Sequence, residues 1–144
     1  MKRLMDTSND VALTMLRVVL GVVFFAHGAQ KMLGWFGGYG FHGTMGAFTQ
    51  MGMPAALAFL IICTEFFGGL GLIVGLLTRI AALGVGGLMV GAIFMVHLAN
   101  GFFMNWMGTQ KGEGFEYHLL ALAMAGALLL RGAGAFSLDR TLAK

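Results

Sequence analysis

Between Val11 and Gln110 the only Asp, Glu, Lys or Arg residues are Arg17, Lys31, Glu65 and Arg79, and the stretches between them are long and apolar. A chain so written has few ways to fold. About twenty apolar residues in a helix cross the hydrocarbon layer of a bilayer, roughly 30 Å thick. Lipid admits only elements that satisfy their own backbone hydrogen bonds, which here means helices. Composition agrees: 58% of the residues are hydrophobic and 10% charged, with a mean hydropathy of +0.85. The chain reads as an integral membrane protein with a single transmembrane domain over 1–144 and no room in that length for a soluble catalytic domain. A net charge of +3, carried by scattered basic residues, excludes a nucleic-acid surface. Cys63 is the sole cysteine, which excludes an internal disulfide or dithiol relay. Any redox chemistry would then need a cofactor, a metal or a partner to carry the electrons.

Four apolar blocks predict helices at about 11–34, 54–77, 80–100 and 115–131. Asp10 or Asn9 can cap the first and Pro54 opens the second at an N1-type position. The apolar core of the first block, Val18 to Ala26, has the length of a signal-peptide core. Two acids in the leader and the continuation of the helix past His27 argue against that reading. The stretches Trp35 to Met53 and Gly101 to Gly114 are rich in glycine and aromatics and are expected as loops. The expected architecture is an all-α four-helix bundle spanning the membrane.

Basic residues set the expected orientation. Lys2, Arg3, Arg79, Arg131, Arg140 and Lys144 fall at the termini or in the Thr78-Arg79 turn, whereas the two long loops contribute Lys31 and Lys111. Positive charge favours the cytoplasm, so both termini are expected there, with Trp35, Trp106 and Tyr117 near the outer interface. An internal echo accompanies this. VFFAHGAQ, Val23 to Gln30, and IFMVHLAN, Ile93 to Asn100, share a pattern of aliphatic, Phe, His, Ala and side-chain amide positions. The echo suggests a parallel repeat of two helical hairpins, with His27 and His97 at equal depth; chance likeness between apolar helices is the alternative.

With that topology the ionisable groups gather in the outer half of the bundle. His27 and Lys31 are four residues apart on one face of the first helix, Glu65 lies midway along the second, and His97 and Asn100 end the third. Glu116 and His118 begin the fourth helix on different faces. A charge at the bilayer centre costs roughly 2.5–3.5 kcal/mol on insertion scales, so Glu65 must be protonated or paired, with Lys31 and the histidines as candidate partners. Burial and pairing push its protonation in opposite directions. The competing readings are structural: a buried ion pair at Glu65, a Lys31 that snorkels to the interface, and glycines such as Gly68, Gly69, Gly71 and Gly75 that serve close helix packing. The pairs Gly71/Gly75 and Gly87/Gly91 would also suit a homo-oligomer. Arg17 is expected to reach a phosphate or a neighbouring partner near the cytoplasmic end.

Histidines and carboxylates at one depth could hold a metal or haem, but a tight ligand spacing such as H-E-x-x-H is missing, so metal and haem rank lower. A quinone suits the physics better. It dissolves in lipid, its tail fits between glycine-lined helices, and its carbonyls need proton donors on reduction. Glu65, His27 and Lys31 are the candidate catalytic residues; His97, Asn100, Glu116 and His118 are candidates for binding the cofactor.

The segments LRVVLGVVFFAHGAQKMLG, TEFFGGLGLIVGLLTRIAA, HLANGFF and GFEYHLLALAMAGALLLRGAGAFSLD resemble the DoxX family of small bacterial membrane proteins. The most specific pieces are His27-Gly28 with Lys31, Glu65 with Gly68-Gly69, Thr78-Arg79, Glu116 and Ser137-Leu138-Asp139. This resemblance implies a four-helix protein of the bacterial inner membrane and a link to oxidoreductases, including sulfur and oxidative-stress metabolism through quinone-linked complexes with partner subunits. Thiosulfate is not indicated by any residue here, since Cys63 alone offers no sulfur-transfer site. The leading expectation is the membrane subunit of a quinone-linked oxidoreductase. The alternatives are a non-catalytic module that binds or anchors a partner protein, and a small permease.

Overall fold

The computed structural model describes residues 5–143. Six helices are found among them: α1 (Val11–Leu33), α2 (Gly40–Gln50), α3 (Ala55–Val74), α4 (Thr78–Asn100), α5 (Glu116–Arg131) and α6 (Leu138–Leu142). Of these, α1, α3 and α4 are long and apolar enough to cross a membrane. The expected bundle of four spanning helices is therefore corrected. The fourth block forms a helix of 16 residues, about 24 Å long at 1.5 Å per residue, which falls short of the hydrocarbon thickness. It nevertheless shares the core, where Leu20 and Phe24 of α1 meet Leu72 of α3, Ala82, Val85 and Met89 of α4, and Ala121, Ala125 and Leu128 of α5.

Two further departures have local causes. The first expected loop contains α2, whose Phe41, Thr44 and Phe48 recur at helical spacing. Thr44 is buried and Phe41 meets Phe59 of α3 edge-on, with ring centroids 6.1 Å apart. The two echoing segments also differ in conformation. Val23 to Gln30 is regular α-helix, whereas α4 passes through a π-type turn over Ile93–His97 and ends in a 3₁₀ turn, Leu98–Asn100. The hairpin repeat thus finds no matching backbone.

At one end the chain's polar residues tie helix termini together. Asp10 caps α1, its carboxylate accepting from the amides of Ala12 and Leu13 at 2.8 and 3.3 Å. Arg17, almost fully buried, donates to the carbonyls of Leu72 and Ile73 at the end of α3 and to those of Ala133 and Phe136 beyond α5. Its expected phosphate or side-chain partner is replaced by four backbone oxygens. Asp139, also buried, accepts from the amides of Leu77 and Thr78 at 2.7 and 2.8 Å and so caps α4 from a remote point in the chain. Arg79 donates to the carbonyls of Leu129 and Leu130 at the end of α5. The segment before α1 joins the same end, since Gly134 donates to the Thr7 hydroxyl at 2.6 Å. Lys2, Arg3 and Lys144, three of the basic residues used for orientation, lie outside the described residues.

Candidate functional site

The site begins with a glycine contact. On α1, Gly28 faces the backbone of α3 so closely that an added Cβ would stand 2.5 Å from Phe66 Cα and 2.6 Å from the Glu65 carbonyl carbon. Gly69 of α3 is pressed in turn against Phe25, and Gly21 against Ile73. Small residues let two backbones approach where lipid supplies no hydrophobic push. Between Gly28 and Gly69, α3 runs through a π-type turn, Thr64–Gly68, which carries Glu65. Such turns insert one residue and re-aim the side chains around them. Glu65 is buried, and its Oε2 meets Lys31 Nζ at 2.5 Å. Lys31 remains partly accessible, with its side chain 23% exposed.

This ion pair lies in the wall of a cavity of about 790 Å³ between α3 and α4. The lining is mostly apolar, with Leu57 and Leu60 of α3 facing Leu83, Leu88 and Met95 of α4. Gly87 and Gly91 also line it, and an added Cβ at either would meet nothing within 4 Å. Within this chain they open space and make no close helix contact. Gly75, offered by the sequence as half of a dimer face, takes a left-handed backbone (φ 72°) against Arg17 and Ser137 inside the protein. A cavity of this size suits a small organic molecule, and a cation and a carboxylate in its wall can hold a polar atom and exchange a proton with it.

The other candidates lie apart from that pair. His27, one turn before Lys31, is exposed and does not line the cavity. His97 and His118 stack with ring centroids 4.0 Å apart. The ring of His97 hydrogen-bonds the Glu113 carbonyl through Nδ1 at 2.8 Å, and Asn100 donates to that same carbonyl at 3.2 Å. Glu116 accepts from the Met104 amide at 3.1 Å and from the Trp106 indole at 3.3 Å. Asn100, His97 and Glu116 thus organise the loop between α4 and α5. His118 is buried and its Nδ1 has no hydrogen-bond partner. Among the described residues no three His, Cys, Asp or Glu side chains come together as a metal-ligand set.

Sequence reasoning missed Tyr117 as a site neighbour. It sits at the start of α5, outside the three spans, and packs against the shared core. Burial first, and the nearby Glu65 carboxylate second, raise its phenol above the ordinary pKa. His118 next to it is shifted the other way, lowered by burial and then by the adjacent His97. Nothing in their spacing from Glu65 foretold this, because more than fifty residues and the whole of α4 separate them from it in the chain.

The fold and this site define a multi-pass membrane protein with a charged pair in the wall of an apolar cavity. The chain belongs to the DoxX family, whose model matches residues 12–98. It is 33% identical to the putative oxidoreductase CatD of Bacillus subtilis (strain 168) over 130 residues, 88% of this chain and 87% of that protein. It is 31% identical to the inner membrane protein YqjF of Escherichia coli (strain K12) over 140 residues, 97% and 98% of the two chains. An uncharacterized membrane protein of Mycobacterium tuberculosis (strain ATCC 25618 / H37Rv), Rv3486, is 31% identical over 148 residues, 99% of this chain and 88% of its own. No solved structure matches the chain.

Proposed function

We propose that this protein is the inner-membrane subunit of a quinone-linked oxidoreductase, with Lys31 and Glu65 as the polar end of its ligand site. The observation that carries the reading is the Lys31–Glu65 pair at 2.5 Å in the wall of an otherwise apolar cavity of about 790 Å³. An ammonium keeps N–H donors beyond the one given to the carboxylate, so Lys31 can hold a carbonyl oxygen while Glu65 exchanges the proton. Reduction of a quinone to a quinol consumes two electrons and two protons. In this reading a partner subunit supplies the two electrons; Glu65, once it has taken up a proton from solvent, delivers one proton to the carbonyl that Lys31 holds, and the second carbonyl takes its proton from solvent. The apolar remainder of the cavity accommodates ring and tail. A relative named as a putative oxidoreductase gives the reaction class its support. Both termini are assigned to the cytoplasm, because Arg79, Arg131 and Arg140 lie at their end of the helices.

The test is equilibrium binding of a short-chain ubiquinone analogue to the purified protein in nanodiscs. Wild type should bind, and Glu65→Gln and Lys31→Met should each weaken binding about tenfold or more, the loss of one charged hydrogen bond. Absence of binding by wild type, or equal affinity in both variants, overturns the proposal.

A further inference from the structure

Three side chains in the lining of the cavity between α3 and α4 carry nitrogen or oxygen: Lys31, Glu65 and Thr64. The first two are spent on each other. Thr64 is half-buried and opens the π-type turn of α3, one residue before Glu65. A threonine within a helix commonly returns its hydroxyl to the carbonyl four residues back, and Thr14, Thr49 and Thr141 do so here. Thr64 does not. Its hydroxyl makes no hydrogen bond with any described residue and, unlike the Thr78 hydroxyl, is not sealed inside the protein. The methyl branch is seated against α4, since a Cβ on Gly84 would stand 3.0 Å from Thr64 Cγ2 and 4.0 Å from Oγ1. A β-branched side chain has few χ1 choices, so seating the methyl also sets the hydroxyl. An uncommitted polar group in a membrane span that lines a cavity is placed to meet what enters it.

We propose that the Thr64 hydroxyl is a third ligand contact, and that it makes the site selective for a benzoquinone with an oxygen substituent beside the carbonyl held by Lys31. The inference rests on reading the cavity as a quinone site. Lys31 reaches the ligand from α1, and Thr64 reaches it from the part of α3 that faces Gly84 of α4. Thr64 and Glu65 are consecutive, with Cα atoms about 3.8 Å apart. Thr64 therefore acts at the polar end of the cavity, on the edge of the ring that carries the held carbonyl. An alkoxy oxygen next to that carbonyl accepts the hydroxyl proton. A methyl group or a fused ring in the same place covers the hydroxyl and leaves it without a partner, which is how a polar site rejects an analogue that lacks the matching group. The apolar remainder, with Leu57, Leu60, Leu88 and Met95, cannot make that distinction strongly, because a hydrophobic wall discriminates poorly between substituents of similar shape.

The experiment is equilibrium binding of two probes to the full chain in nanodiscs, with concentrations counted in the lipid phase. One probe is a short-chain ubiquinone analogue; the other is the same quinone with methyl groups in place of its ring methoxy groups. Wild type should bind the methoxy probe about fivefold or more tightly than the methyl probe, the worth of one neutral hydrogen bond. Thr64→Val keeps the shape of the side chain and removes the hydroxyl. It should bring the two affinities level by weakening the methoxy probe alone, and Thr64→Ser should restore the preference. Thr64→Ala takes the place of Thr64→Val should elution and circular dichroism show the latter misfolded. Equal affinities in wild type overturn the inference, and so does a preference that survives in the folded variant without the hydroxyl; in both cases the quinone reading stands. A wild type that binds neither probe overturns that reading and the role of Thr64 with it.

Discussion

Gly28 and Phe66 are in backbone contact: the space where a side chain on Gly28 would begin is filled by Phe66 Cα, 2.5 Å away. That contact sets how far Lys31, three residues on, stands from Glu65. Gly28→Ala must therefore push α1 and α3 apart. Overpacking of this kind costs about 1–3 kcal/mol. Thermal unfolding in detergent should fall accordingly, and ubiquinone-analogue binding should be lost even where the variant stays folded. Gly46→Ala, at a position with nothing within 4 Å, is the control.

The Lys31–Glu65 pair offers a way to separate a structural role from a ligand role. Lys31→Met alone leaves a buried carboxylate without its partner. Because Lys31 is 23% exposed, the cost should be roughly 1–3 kcal/mol, below the range for a fully buried pair. The double variant Lys31→Met/Glu65→Leu should recover most of that loss and yet bind no quinone analogue. A double variant that is stable and still binds would remove the pair from the site.

Filling the cavity should act in the opposite sense on stability. Gly87 lines it with open space around its missing side chain. Gly87→Leu raises helix propensity by about 0.5–1 kcal/mol, so its melting temperature should hold or rise, while affinity for the quinone analogue collapses. Both readings come from one purified sample.

At the far end of the helices, Asp139 caps α4 through the amides of Leu77 and Thr78. Asp139→Ala leaves one buried donor, the Thr78 amide, and one part-buried donor, the Leu77 amide, unpaired and should cost about 1–3 kcal/mol. Hydrogen exchange at Leu77 and Thr78 is the local readout: it should accelerate in Asp139→Ala and much less in Asp139→Asn, which keeps an acceptor.

Arg17 should prove as demanding. Its guanidinium reaches carbonyls of α3 and of the segment beyond α5 at once, a fork that one ammonium cannot reproduce. Arg17→Lys should lower stability by roughly 1.5–3 kcal/mol, the value of a charged hydrogen bond, and expose the α6 tail to limited proteolysis ahead of global unfolding.

Sequence alone determined that this chain lives in a membrane, because the free energy of placing apolar residues in lipid depends on their number and order and hardly at all on their neighbours. Its four Asp, Glu, Lys or Arg residues between Val11 and Gln110 marked where the protein must spend effort. Lys31 was legible as one candidate partner for Glu65, alongside the histidines. Only the tertiary structure decided among them, because the choice rests on how closely two backbones approach at Gly28 and on a π-type turn that aims Glu65, and neither has a signature in hydrophobic pattern. The same holds for Asp139, singled out in sequence only within the family-like piece Ser137-Leu138-Asp139 and found buried as the cap of a helix that begins sixty-one residues earlier in the chain. The block from Phe115 onward shows the limit from the other side. Its apolar residues promised a fourth span, but where the helix starts depends on Glu116 and its loop partners, and what they leave is too short to cross.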